Sequence, residues 1–189
     1  MKAKIAPRKE VVLLYRQEQV PNGAFLLELL EEMKIECRLV TEEQLGKTTG
    51  ELAGYRSASI QPEQAEVPVP QVSAMAMGGL AGKRLDELLN AMSKAGVEIP
   101  IKMVVTQHNE GWRFGELIEE VGREHELFMS MERLKRLVTV AQKQEAPSGQ
   151  LTETLKKARA ALTRMQGPDQ KQPDRQELDD LSEQLQGLL

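Results

Sequence analysis

Apolar residues along the first half of the chain recur with the spacings of β-strands. The continuous run VVLLY at Val11–Tyr15 is typical of a strand buried on both faces. Ile35, Cys37 and Leu39 alternate with charged residues, which predicts a half-buried edge strand whose three apolar side chains point inward. Two further apolar runs, at 72–77 and 99–105, complete a prediction of four strands.

Between and after these strands the apolar positions are three and four residues apart, as on one face of a helix. The pattern predicts helices over 24–33 and 85–95, and a long helix that begins near Trp112. Gly96 follows the second helix and is a typical residue just past a helix C-terminus. Thr41 and Gln44 have the spacing of a capping box, which predicts a short helical turn that ends near Gly46.

The order of these elements predicts an α/β fold: a small, four-stranded, mostly parallel sheet with flanking helices, because a helix between two strands favours a parallel crossover. With strand order 2-1-3-4, a ligand would bind where the first and third strands end, at Tyr15 and at Gly78. A ferredoxin-like α+β fold with an antiparallel sheet is the alternative.

The chain divides by pattern into a domain at 1–129 and a helical extension at 130–189. Within the domain, glycine and proline residues punctuate a polar loop at 47–71. In the extension, apolar residues recur at alternating steps of four and three, but each stretch covers only about two heptads. Short helices of this kind are marginal in isolation. The extension is therefore expected to be a helical bundle, a coiled coil or a partly disordered segment.

The composition and charge of the chain argue against several classes of partner and site. The formal net charge is −4, with both signs mixed along the chain and no basic stripe for nucleic acid. No segment has the roughly 20 apolar residues of a membrane-spanning helix, so no membrane partner is expected. Cys37 is the only cysteine, which fits a reducing, cytoplasmic setting and predicts neither a disulfide nor a metal site.

The most suggestive candidate site is the glycine-rich turn between the third strand and its helix. Backbone N–H groups at a helix N-terminus attract anions, so a phosphate or a nucleotide is the ligand class that this turn would bind. The turn lacks the first glycine and the Ser/Thr of a phosphate-binding P-loop, and a plain tight turn explains the glycines equally well. The candidate residues are Gly78, Gly79, Gly82, Lys83 and Arg84.

The loop after the fourth strand holds the remaining candidates, His108, Asn109 and Trp112. His108 would need an orienting carboxylate to act as a base, and Glu110 is the near one. Trp112 is either an anchor of the last helix or a recognition residue. His125 begins a zinc-protease pattern that lacks its second histidine, so no metal, cofactor or catalytic set is predicted.

Several separated segments resemble a family of small bacterial α/β domains of unknown function, over about residues 11–129. They are the strand VVLLY, the turn at Gly78 with the helix LDELLNAMSKAGV, the strand and loop IPIKMVVTQHNEGW, and the helix FGELIEEVGREHE. The resemblance places Thr106, Asn109, Trp112, Glu124 and His125 at matching positions, and it implies no activity.

These observations favour an uncharacterised, non-enzymatic protein-interaction or regulatory module. Its C-terminal helices would bind a protein partner or a second copy of the chain. The alternative is a protein that binds a small anionic ligand or nucleotide at the glycine-rich turn, Gly78 to Arg84.

Overall fold

The computed structural model of the chain describes residues 8–55, 66–144, 148–165 and 173–189. Four strands form one sheet: β1 (Val11–Tyr15), β2 (Glu36–Val40), β3 (Ala74–Gly78) and β4 (Ile101–Val104). The helices are α1 (Gly23–Glu32), α2 (Thr49–Leu52), α3 (Gly82–Lys94), α4 (Phe114–Ala141), α5 (Gly149–Arg164) and α6 (Arg175–Gln186).

The sheet has the order β2-β1-β3-β4 and is mixed. β1 pairs parallel with β2, and β3 pairs parallel with β4, whereas the central pair β1 and β3 is antiparallel. The α/β prediction of a mostly parallel sheet is confirmed. The ferredoxin-like alternative, with its antiparallel sheet, is not the observed arrangement, because the two strands of each β-α-β segment lie side by side and parallel.

The predicted ligand edge is wrong. Tyr15 pairs with Ala74 and Val11 pairs with Gly78, so the carboxyl ends of β1 and β3 lie at opposite ends of the sheet. The prediction assumed that both β-α-β segments run in the same direction. The apolar pattern carries no information about the relative direction of the two segments.

Helices cover both faces of the sheet. Alternate residues of β1 enter two different cores, with Val12 and Leu14 on one side and Leu13 on the other. α1 and α3 pack together on the first side, as right-handed crossovers from two antiparallel β-α-β segments require. α2 and the first two turns of α4 pack on the second side, around the fully buried Phe114.

The edge strand β2 departs from the sequence prediction at one position. Ile35 is buried and Cys37 is half-buried, as expected, but Leu39 is 54% exposed. Its neighbour Val40 is buried in the core on the α2 side of the sheet. The side chain of Leu39 therefore points to the other face, where it lines the shallow cavity at the ends of β1 and β2.

The chain forms two compact units, Met1–Gly122 and Arg123–Leu189, and α4 runs continuously through the boundary. The second unit has its own core, in which residues of α4, α5 and α6 meet. Side chains cap two of these helices, since Ser148 accepts from the N–H of Leu151 and Asp174 accepts from that of Glu177. The predicted domain boundary at 129/130 and the predicted coiled coil remain predictions.

Candidate functional site

Gly78 and Gly79 lie where the N-terminal segment crosses the end of β3. A Cβ atom at Gly78 would press against the side chains of Tyr55 and Val11. Gly79 has a φ of +70°, and a Cβ atom there would lie 2.5 Å from the carbonyl oxygen of Lys9. Side-chain crowding therefore accounts for Gly78 without a ligand, and close backbone approach with left-handed geometry accounts for Gly79.

The cations of the same turn point to protein groups. Arg84 Nε lies 3.1 Å from a carboxylate oxygen of Glu10, and its Nη2 donates to the carbonyl of Met33. The side chain of Lys83 is 92% exposed and lies 3.6 Å from Glu87. α3 begins at Gly82, and Ala81 before it supplies no side-chain cap. Anion binding at Gly78, Gly79, Gly82, Lys83 and Arg84 remains a prediction, and the Glu10 carboxylate already neutralises Arg84.

A second group of polar side chains lies at the opposite end of the sheet, where β1 and β2 end beside a cavity of about 280 Å³. Tyr15 donates to the carbonyl of Pro70 at 3.0 Å, and Arg16 Nε lies 3.1 Å from the Tyr15 hydroxyl oxygen. Arg16 Nη2 also donates to Glu42 at 2.6 Å. The hydrogen bond with Tyr15, then the nearby charges, raise the pKa of Arg16. This guanidinium stays charged, and it donates to the carbonyl of Pro70 at the end of β1.

The loop after β4 is closed by Asn109. Its side chain accepts from the N–H of Thr106 at 2.7 Å and donates to the carbonyl of Val104 at 3.0 Å. His108 contributes its backbone N–H to the Thr106 hydroxyl, while its side chain is exposed. Glu110, the carboxylate expected beside it, forms an ion pair with Arg8 instead. The structure thus joins Asn109 to the loop backbone, and among the residues that it describes no carboxylate orients His108.

Trp112 combines a fixed backbone with an exposed ring. Its N–H donates to the carbonyl of Asn109 at 3.1 Å, and its carbonyl accepts from the N–H of Thr49 at 2.9 Å. The Thr49 hydroxyl donates to the same carbonyl at 3.2 Å. The side chain is nevertheless 45% exposed. Just over half of Trp112 is covered by the protein, so both sequence interpretations, an anchor of α4 and a recognition residue, remain predictions.

The turns that follow β2 and β4 bind each other, and we call residues 41–50 and 106–115 the crossed turns. The N–H of Gly50 donates to the backbone carbonyl of Glu110, and the N–H of Gly115 donates to the backbone carbonyl of Leu45. Thr48 and Arg113 form an antiparallel bridge between them. Arg113 also pairs with Glu116, and this hydrogen bond raises the pKa of Arg113.

Sequence reasoning missed that the crossed turns repeat one motif. TEEQLGKTTGEL at 41–52 aligns with TQHNEGWRFGEL at 106–117, with identical residues at Thr41/Thr106, Gly46/Gly111, Gly50/Gly115, Glu51/Glu116 and Leu52/Leu117. The amide side chains Gln44 and Asn109 also correspond, and each accepts from the N–H of the threonine three residues before it. A self-comparison at a spacing of 65 residues, from 41 to 106, would have found this signal.

The ionisable groups near the N-terminal segment stabilise its position. Hydrogen bonds from Lys9 and Arg38 lower the pKa of Glu36. The guanidinium of Arg8 lies 4.9 Å from the ring centre of Tyr55, and burial raises the pKa of Tyr55. Burial also raises the pKa of Cys37, which argues against a reactive thiolate there.

Other classes of site are not found in the part of the chain that the structure describes. Within 8–55, 66–144, 148–165 and 173–189, no three His, Cys, Asp or Glu residues come together as metal ligands. Among the same residues, no helix has the length and apolar character to span a membrane. In the second unit His125 and Glu124 are exposed, and Glu126 pairs with Arg175.

The fold and the crossed turns define an α/β unit with a mixed, four-stranded sheet, followed by a helical unit. Residues 73–128 match the family model of a domain of unknown function (DUF3783), in agreement with the expected resemblance to an uncharacterised domain family. The match starts just before β3 and includes β4, the second of the crossed turns and the first half of α4. No curated protein and no solved structure matches the chain.

Proposed function

We propose that this protein is a non-enzymatic, cytoplasmic protein-interaction module that recognises a partner with Trp112. Two of the candidate side chains for chemistry are engaged in structural contacts, Arg84 with Glu10 and Asn109 with Thr106. The unpaired and partly buried Cys37 fits a reducing compartment.

The observation that carries the proposal is the exposed ring of Trp112 on a backbone held by Thr49. Binding hot spots are enriched in tryptophan, and an anchor that is rigid before binding loses little conformational entropy when it docks. An indole ring offers a large apolar surface together with one N–H donor. The partner is therefore expected to present an apolar pocket with a hydrogen-bond acceptor at its rim.

Affinity capture with three full-length baits tests this proposal. Phe25, on the exposed face of α1, is 44% exposed and provides a matched aromatic control for Trp112. We expect a protein that the wild type and Phe25→Ala capture and that Trp112→Ala loses, with all three baits showing the same thermal unfolding. Identical capture by all three baits would contradict recognition through Trp112.

The helical unit adds a second surface to the same proposal. Its predicted apolar seam is buried in its own core, at Leu134, Val138 and other positions. Phe128 and Met129, by contrast, are 52% and 51% exposed. Glu124 lies four residues before Phe128 and so on the same side of the helix, whereas Glu132, four residues after it, is paired with Lys135. An apolar pair beside the Glu124 carboxylate fits a protein groove that is apolar and has a basic residue at its rim.

Phe128→Ser can be compared with Val140→Ser, because Val140 is exposed to the same extent, 53%. Sedimentation of each full-length variant tests binding to a second copy of the chain, and the capture assay tests binding to another protein. We expect Phe128→Ser to lose an association that Val140→Ser keeps. If both variants behave as the wild type does, the helical unit contributes no contact.

Anion binding at Gly78 to Arg84 is the second candidate function. Two features favour it: the N-terminus of α3 has no side-chain cap at Ala81, and Lys83 extends into solvent. Thermal unfolding with millimolar inorganic phosphate tests it, with Lys83→Ala as the variant. Stabilisation of the wild type that is reduced in Lys83→Ala is expected, and no stabilisation at all would remove this candidate.

A further inference from the structure

The sheet unit consists of two halves with the same course of the chain. We call residues 8–55 the first half and residues 66–122 the second half. Each half contains a strand, a helix, a parallel strand, a turn and a further helix, and α1 and α3 pack on the same face of the sheet. Lys34 and Gly96 both follow a helix C-terminus with positive φ, 57° and 64°. In each half the N–H of the residue after this position donates to a carbonyl in the last turn of the helix. Ile35 donates to Leu30, and Val97 donates to Met92.

The contacts between the halves are reciprocal. All four bonds join a backbone N–H to a backbone carbonyl. In the first pair, Gly50 donates to Glu110 and Gly115 donates to Leu45. In the second pair, Thr49 donates to Trp112 and Phe114 donates to Lys47. Exchanging the halves converts each of these bonds into the other bond of its pair. The bridge between Thr48 and Arg113 joins two equivalent positions. Such reciprocity is the property of a two-fold symmetric interface.

The central strands obey the same symmetry. Leu13 and Ala76 are the middle residues of β1 and β3, and they pair with each other in the antiparallel register. The approximate two-fold axis of the unit therefore passes between Leu13 and Ala76. Both residues are fully buried, so the pairing lies in the core of the sheet.

The family match at 73–128 covers the second half and none of the first. On its own that segment would leave the β1-facing edge of β3 without hydrogen-bond partners, although every residue of β3 is buried in this chain. An exposed apolar strand edge recruits another strand. The family unit therefore needs a partner strand, and the strand that pairs with it here belongs to a half built in the same way.

We propose that the second half carries a self-complementary pairing surface, formed by β3 and residues 106–115, whose partner is a second copy of the same half. In this chain the first half occupies that surface from within the molecule. In a pair of second halves, symmetry places Ala76 opposite Ala76 of the other copy, and Met75 opposite Met77. This inference concerns how the unit is assembled and does not depend on recognition through Trp112.

The charges of the crossed turns are compatible with such a pair. Arg113 would face Arg113 of the other copy, where this chain has Thr48 opposite it. Each Arg113 is paired with Glu116 of its own half, so the repulsion between the two cations would be partly neutralised. In this chain the first half has the uncharged Thr48 at the equivalent position, so this repulsion does not arise.

Disabling the first half of the full-length chain tests the proposal. Leu13→Asp puts a charge at the buried centre of β1 and should release β3 for another partner. We expect the solution mass of the Leu13→Asp chain to be twice that of the wild type, while the β3 amides stay protected from hydrogen exchange. A folded Leu13→Asp chain with the wild-type mass would overturn the proposal.

A cysteine placed on the axis tests the register. In a Leu13→Asp, Cys37→Ser background, Ala76→Cys should form a disulfide-linked dimer under mild oxidation. Met75→Cys is the control, because its partner in the pair is Met77 and not itself. Equal cross-linking of the two variants, or none in a dimer, would overturn the symmetric register.

A third chain keeps the test decisive if Leu13→Asp does not fold. In that chain residues 8–55 are exchanged for a second copy of residues 71–120, and the rest of the protein is kept. The proposal expects a cooperatively folded monomer with the same β-sheet signal in circular dichroism, because the two halves are then identical and complementary. An unfolded chain in this experiment, together with an unfolded Leu13→Asp chain, would overturn the proposal.

Discussion

At the residue scale, Glu36 links the N-terminal segment to the edge strand β2 through Lys9 and Arg38. These partners lower the pKa of Glu36 in the folded state, so its contribution to stability is present above the unfolded pKa of about 4.3 and is lost as the pH falls through the folded value. We expect Glu36→Gln to lower the free energy of unfolding at pH 7 by about 0.5–1 kcal/mol, the scale of partly exposed ion pairs. Urea denaturation between pH 7 and pH 3 measures this effect.

The pH dependence identifies the cause of that loss. The wild-type and Glu36→Gln stabilities should converge as the pH falls, because protonation removes the same charge that the substitution removes. Glu28→Gln, at an exposed position of α1, serves as the control and should stay parallel to the wild type. A constant difference between wild type and Glu36→Gln down to pH 3 would show that the ion pairs are not responsible.

Residue contacts of this kind could not be predicted from the sequence. The apolar pattern has no means of pairing Arg84 with Glu10, which is 74 residues away. The sequence did predict that Asn109 belongs to a polar loop, but only the fold shows that its side chain closes that loop. The glycines at Gly78 and Gly79 were found as an unusual turn, but the residues that crowd them, Lys9 and Tyr55, lie far away in the sequence.

At the scale of elements, long apolar runs were predictable and short polar elements were not. Val11–Tyr15 was predicted with its observed bounds because a continuous run of strand formers needs no tertiary information. α2 was missed, since its four residues TGEL have no apolar stripe. Its formation depends on non-local bonds, in which Thr49 and Gly50 donate to the other crossed turn.

The close packing of the crossed turns makes a prediction about two glycines of one turn. A Cβ atom at Gly115 would lie 2.5 Å from the carbonyl oxygen of Pro68 and 2.7 Å from a methyl group of Val67, whereas nothing lies within 4 Å of one at Gly111. We expect Gly115→Ala to cost about 1–3 kcal/mol through overpacking. Gly111→Ala should stay within about 0.5 kcal/mol of the wild type. Equal urea midpoints for the two variants would contradict this packing.

At the scale of the whole molecule, the sequence predicted a sheet with helices on both faces. It did not predict the direction of the second β-α-β segment. The continuous apolar run of β1, which predicts burial on both faces, and the stripes of the helices are enough to place helices on both faces of a sheet. The antiparallel pairing of β1 with β3 is accompanied by contacts between the halves, at Thr48, Arg113 and their neighbours. The repeated motif at 41–52 and 106–117 was the sequence signal for that symmetry.

The separate cores of the two units predict that each unit responds to its own mutations. Leu178 is fully buried in the core of the helical unit, and Leu30 is fully buried beneath the sheet. Leu178→Ala should cost about 2–5 kcal/mol, as cavities of this size do. Because local stability follows the local core, hydrogen exchange should accelerate in α5 and α6 and stay unchanged in β1 and β3. Leu30→Ala should give the reverse pattern. If Leu178→Ala accelerated exchange equally in the sheet and in the helices, the chain would unfold as one cooperative body in spite of its two cores.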